Sequence, residues 1–145
     1  MAMAYRALAA TVVASAALLG GCAGMGAGPT KERVVLQVSD GDTKTWNQAL
    51  NVVRNLKTNY TARGVESEIQ LVAFGHGIGM LKDDAVVAGR VRDAMKGGAQ
   101  MVACENTMRG FKLSKDMMLD SVVYTETGVI YIIEKQRQGW SVIRP

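Results

Sequence analysis

Two cysteines, one histidine and one glycine-rich loop hold most of the chemistry this chain can offer. Cys104 closes an apolar run, Met101-Val102-Ala103-Cys104, and leads into Glu105-Asn106-Thr107-Met108-Arg109-Gly110. A thiol at a strand-to-helix junction meets backbone N–H donors and a partial positive charge, and Arg109 would add a full one. Both effects lower a thiol pKa and raise its thiolate content. Cysteine is also among the most buried residue types. The residues therefore leave two readings of Cys104 open, a reactive thiol or a small buried hydrophobe.

The second candidate is Gly75-His76-Gly77-Ile78-Gly79, three glycines spaced two apart. Successive N–H groups in such a loop can form an anion-binding nest. The plainer reading is a tight turn leading from a strand to a helix. The spacing fits neither the dinucleotide fingerprint nor a Walker A loop. His76, the one imidazole, suits acid/base work near neutral pH, or is a solvent-exposed loop residue with no task.

Several function classes drop out. A single histidine removes almost every multi-histidine metal site, and no metal or cofactor is expected. No serine stands in Gly-x-Ser-x-Gly, which speaks against a hydrolytic triad. The 145 residues are one domain's worth, and 48% hydrophobic against 21% charged residues excludes a disordered chain. The formal charge of +4 is spread along the chain without a block of like charges, so no nucleic-acid partner is expected. Arg90, Arg92 and Lys96 read as a solvated helix face.

The chain opens on an address. Arg6 is followed by the apolar run Ala7–Leu19, too short for the roughly 20 helical residues that cross a bilayer but suited to a secretory signal peptide. Leu19-Gly20-Gly21-Cys22 resembles the lipobox of bacterial lipoproteins. Residues 1–21 are then a signal peptide, Cys22 is the lipidation site, and residues 22–31 form a lipidated cysteine and flexible tether. The domain proper occupies residues 32–145. The expected place is the cell envelope, lipid-anchored and facing the periplasm. Ala23 beside the anchor, in place of an aspartate, favours the outer membrane. With Cys22 acylated, Cys104 has no disulfide partner in its own molecule.

The elements that must position these residues alternate. Apolar β-branched runs at Arg33–Ser39, Glu68–Phe74, Ala99–Cys104, Ser121–Tyr124 and Trp140–Arg144 read as strands. Trp46, Ala49, Leu50, Val53, Leu56 and Tyr60 make one stripe of an amphipathic helix, with Asp42 or Thr43 as N-cap and Gly64 near its end. Further helices are expected over Asp83–Lys96 and Thr127–Gln138, and a short helix with a turn within Glu105–Leu119. Near-continuous apolar strands separated by helices imply an α/β fold, a three-layer α/β/α arrangement around a mainly parallel five-stranded sheet. Right-handed crossovers bring every strand's carboxyl end to one edge, where open α/β sheets bind ligands. Three loops meet there: Ser39–Asp42, Gly75–Gly79 and Cys104–Gly110. They nominate Cys104 and Arg109 for chemistry and Asp40, Gly75, His76, Gly77, Gly79, Asn106 and Thr107 for ligand binding.

The body from Glu32 to Pro145 resembles the DsrE/DsrF-like proteins, small α/β proteins linked to sulfur metabolism. Four segments carry the resemblance: Val34-Val35-Leu36-Gln37-Val38-Ser39-Asp40 leading into Trp46-Asn47-Gln48-Ala49-Leu50; Gly75-His76-Gly77-Ile78-Gly79-Met80-Leu81; Ala103-Cys104-Glu105-Asn106-Thr107-Met108-Arg109; and Gly139-Trp140. In sulfur-relay members a cysteine at a corresponding strand end accepts sulfur as a persulfide, which the resemblance implies for Cys104. It also implies homo-oligomers such as trimers or hexamers, and a sulfur-donor or acceptor protein as partner. The alternatives are a non-catalytic module binding a small anion or thiol at the same edge, and an envelope interaction module whose cysteine only packs.

Overall fold

The computed structural model describes residues 31–145; the expected signal peptide, Cys22 and nearly all of the tether lie outside the described residues. The elements follow in the order β1 (Glu32–Val38), α1 (Thr43–Ala62), β2 (Ser67–Ala73), a 3₁₀ helix (Gly75–Leu81), α2 (Ala88–Lys96), β3 (Ala99–Cys104), α3 (Glu105–Gly110), a 3₁₀ turn (Lys115–Met117), β4 (Val123–Thr125), α4 (Gly128–Arg137) and β5 (Ser141–Ile143). The five strands form one sheet in the order β4-β3-β2-β1-β5, and every pairing is parallel. The expected α/β class with a five-stranded parallel sheet is what the chain adopts.

The strand order decides which face each helix covers. The chain steps outward from β1 through β2 and β3 to β4, then returns across the sheet to place β5 beside β1. A right-handed crossover that changes direction along the sheet must change face. Accordingly, α1, α2 and Met108 of α3 pack with Val34, Leu36, Ile69, Leu71, Met101 and Ala103 on one face. On the other face Ile132 of α4 packs with Val35, Val72, Val102 and Trp140. Alternate strand residues thus serve opposite cores, as the two-residue strand period requires. The layers are unequal, because α4 alone spans the second face.

Helix α1 begins where Asp42 accepts a hydrogen bond from the Lys44 N–H at 3.1 Å, and the Trp46 indole N–H donates to the Asp40 carbonyl at 2.7 Å. Three expected elements differ. The strand expected at Ser121–Tyr124 runs Val123–Thr125, because Ser121 takes a left-handed turn conformation, φ 67°, ahead of it. The Gly75–Gly79 turn is the start of a 3₁₀ helix that continues to Leu81. The helix expected from Asp83 starts only at Ala88. Its missing first turn has a physical cause, since the backbone there is committed elsewhere. Leu119 donates to the Leu81 carbonyl at 2.9 Å, Asp83 donates to the Met117 carbonyl at 3.1 Å, and Lys82 pairs with Met118 as an antiparallel bridge. Among the described residues no helix is long and apolar enough to cross a membrane.

Candidate functional site

Cys104 ends β3 and N-caps α3, and it is 3% exposed. Its register partner on β4 is Thr125, and the chain then turns through Glu126 and Thr127 into α4. The loops after β3 and β4 depart to opposite faces of the sheet. The junction between their carboxyl ends is therefore a topological switch point, the position at which open parallel sheets place their ligand sites.

The Cys104 sulfur is held by the starts of two helices. The Gly128 N–H, at the first position of α4, points at Sγ with 3.2 Å between the heavy atoms. On the other side the thiol lies 3.9 Å from the Glu126 carbonyl, which also accepts from the Asn106 N–H at 3.0 Å. Burial pushes the Cys104 pKa up. Hydrogen bonds from the Thr107 hydroxyl and from the Gly128, Thr107 and Asn106 N–H groups outweigh it and leave the thiol below its ordinary value. The thiolate is stabilised by dipoles rather than by a neighbouring cation.

Gly128 makes this approach possible. A Cβ there would stand 3.3 Å from Cys104 Cβ, 3.3 Å from Phe74 Cβ and 3.4 Å from Val72 Cγ1, tighter than side chains ordinarily pack. Sequence reasoning missed this residue. The only signal was a glycine at the first position of a helix after Thr127, where nothing local calls for one.

The candidate residues divide into groups. Thr107 is central: it helps hold the thiol pKa down, and its Oγ1 accepts the Gly75 N–H at 3.1 Å and ties the glycine loop to α3. Asn106 contributes its backbone, while its side chain accepts from Arg109 at 3.3 Å. Arg109 is exposed on α3 and is not among the groups that hold the thiol pKa down. Asp40 lies at the end of β1, two strands and about 10 Å from β3. It pairs with Arg144 at 3.4 Å.

The glycine loop has two of its glycine donors committed within the fold. Gly75 N–H is taken by Thr107, and Gly77 N–H is shared between the Ser39 and Phe74 carbonyls at 3.0 and 3.1 Å. Gly77 is there for close approach: a Cβ would overlap the Val38 carbonyl oxygen and stand 2.6 Å from its carbon. Gly79 lies under the Trp46 ring, where a Cβ would come within 3.2 Å of it. His76 is exposed, meets the Phe111 ring edge-on at 5.3 Å, and with Ile78, Gly79, Lys82 and Leu113 lines a cleft of about 240 Å³. This cleft opens on the α1/α2 face of the sheet edge, whereas Cys104 faces α4. Arg90 also departs from expectation. It is half-buried and clamped to α1 through the side chains of Asn47 and Asn51, with the latter at 2.8 Å. The two helices pack closely enough there for the guanidinium to cross between them. Among the described residues no three His, Cys, Asp or Glu side chains converge as a metal-ligand set.

The fold and this site define a class: a small parallel α/β protein with one thiol, among the described residues, at the switch point of its sheet. Within that class the chain belongs to the family of the MTH1491 protein of Methanobacterium thermoautotrophicum, a protein of unknown function. The two are 30% identical and superpose with a TM-score of 0.74 over 79% of this chain and 99% of the other. The chain also shares its fold with BT1422 of Bacteroides thetaiotaomicron, a conserved protein of unknown function, at 16% identity and a TM-score of 0.59 over 79% and 94% of the two chains. No family model matches the chain, and no curated protein matches it.

Proposed function

We propose that this protein is an envelope lipoprotein whose DsrE-like domain carries sulfane sulfur as a persulfide on Cys104. The observation that carries the reading is the Gly128 N–H aimed at the Cys104 sulfur from 3.2 Å, on a thiol whose pKa lies below its ordinary value. The chemistry balances without an external oxidant. The Cys104 thiolate attacks the outer sulfur of a persulfide or polysulfide donor, one S–S bond forms as the donor's breaks, and the donor leaves as a thiolate. The same N–H groups then face the new, more acidic persulfide. Cys22 supplies the membrane anchor in this reading, and a partner protein supplies or accepts the sulfur.

Intact-mass spectrometry of the membrane-extracted full chain tests both halves. Exposure to polysulfide is expected to add about 32 Da, removed by reductant and absent from Cys104→Ala. The starting mass should already carry acyl chains in place of residues 1–21. A mass that never changes refutes sulfur carriage, and an unacylated soluble chain refutes the anchor. A second reading is binding without turnover at the same sheet edge. It is favoured by the near-complete burial of Cys104 and by the separate cleft beside His76 and Phe111.

We also propose a homo-oligomer, a trimer or hexamer. Val129, Ile130 and Ile133 of α4 are 47%, 51% and 38% exposed, an apolar stripe on the one helix covering its face of the sheet. Light scattering should give three or more copies for the wild type and a smaller particle for Ile130→Glu. A monomeric wild type at micromolar concentration would remove this proposal.

A further inference from the structure

Helix α1 has 20 residues, three of them cationic and none acidic, so its Arg54 and Lys57 lack the carboxylate neighbours that usually neutralise a helix surface. Both line a groove of about 290 Å³ between α1 and α2, whose floor is Leu50 and Val53. Arg90 enters the same groove from α2. Its guanidinium is anchored on Asn47 and Asn51, both neutral amides, so it is positioned without being neutralised. Lys57 lies across the far end of the groove, where its Nζ would be 3.4 Å from a Cβ at Gly98. Among the described residues none of these three cations has a carboxylate within ion-pair distance. Asp93, the one acidic residue of the lining, is 3.9 Å from Lys96.

We infer that this groove binds a phosphate monoester with a small organic group. Three cations against one carboxylate leave an excess of two positive charges, which matches the roughly −1.5 to −2 of a monoester at neutral pH. A half-buried guanidinium with unused N–H donors is suited to phosphate oxygens, and the apolar floor accepts a short organic moiety. The volume stands just below the roughly 300–1,000 Å³ of small-molecule sites, which suits a compact occupant. The site is separate from the thiol. It lies in the layer on the opposite face of the sheet from α4, and Lys57 and Gly97 stand toward the amino edge, where β3 begins.

The test uses the full chain in neutral-detergent micelles. Phenyl phosphate and inorganic phosphate are titrated calorimetrically, and phosphatidic acid or phosphatidylcholine is added to the micelles in parallel. Saturable binding of phenyl phosphate is expected, tighter than inorganic phosphate. It should weaken about tenfold or more in the double variant Arg54→Gln/Lys57→Gln and little in Arg92→Gln, which lies outside the groove. Binding of phosphatidic acid but not phosphatidylcholine, lost in the same double variant, would assign the monoester to a lipid headgroup. The double variant should melt with the wild type, since neither side chain is ion-paired. The inference is overturned if neither monoester saturates, or if wild type and double variant bind alike.

Discussion

Gly77→Ala is expected to cost about 3 kcal/mol or more and to lower the melting temperature by about 10 °C or more. The added Cβ meets backbone rather than a flexible side chain. It would overlap the Val38 carbonyl oxygen and stand 2.6 Å from the Val38 carbonyl carbon and 3.1 Å from the Ser39 nitrogen. The backbone cannot yield cheaply. Val38 is 1% exposed at the end of β1, and its carbonyl accepts the Phe74 N–H, while the Gly77 N–H bonds the Ser39 carbonyl. Relief therefore requires the Gly75–Leu81 helix to lift from the sheet, taking buried Ile78, Met80 and Leu81 with it. Gly89→Ala is the matched control. It lies within α2 with nothing within 4 Å of a new Cβ, and should stabilise by about 0.5–1 kcal/mol. Thermal melts of the two variants check the pair, and equal melting temperatures would show that the close approach of Gly77 to β1 is not a constraint.

Thr107→Val should act on the thiol and on the fold at once. Valine keeps the side-chain shape but loses the hydroxyl that lowers the Cys104 pKa and accepts the Gly75 N–H at 3.1 Å. Leaving a partly buried N–H without its acceptor costs about 1–3 kcal/mol. The Cys104 pKa should rise toward its ordinary value of 9.0. The thiolate population at neutral pH then falls about tenfold for each pH unit by which the titration midpoint moves. Alkylation rate against pH reads this directly, with Arg109→Ala expected to leave the midpoint in place because its guanidinium does not hold the thiol.

The same depressed pKa predicts a sign for stability. A thiol whose pKa is lower in the folded than in the unfolded chain contributes stability that is full above the unfolded value. That contribution is lost as pH falls through the folded value. The melting temperature of the wild type relative to Cys104→Ala should therefore climb with pH up to about 9 and be flat below the folded pKa. A difference that does not vary with pH would mean the thiol is packed as a neutral group, and would favour the binding reading over sulfur carriage.

The thiol's setting follows from the chain's path rather than from any local motif. Were β5 to follow β4 outward, α4 would cover the same face as α1 and α2, and Gly128 would not reach Cys104. The return crossing to β1 brings the start of α4 over the end of β3, so that the Glu126–Gly128 turn closes on the sulfur.

What the amino-acid sequence determines by itself is the alternation of elements and the strand-end position of Cys104. Apolar β-branched runs and a helical stripe such as Trp46-Ala49-Leu50-Val53 are local patterns, and local patterns report secondary structure. The loops at the carboxyl edge were legible for the same reason, since a parallel sheet collects strand ends whatever their order. Strand order itself was not legible, because runs such as Val34-Val35-Leu36 and Met101-Val102-Ala103 are equally suited to any interior place in a sheet. Only long-range pairing decided it. That order separated Asp40 and the His76 cleft from the thiol, and put Gly128 beside it. Tertiary packing also clamped Arg90 between two helices, and it gave the Leu81–Asp83 backbone to Met117–Leu119 instead of to a helical turn. In each case the deciding partner was distant in sequence, where neither periodicity nor capping patterns can reach.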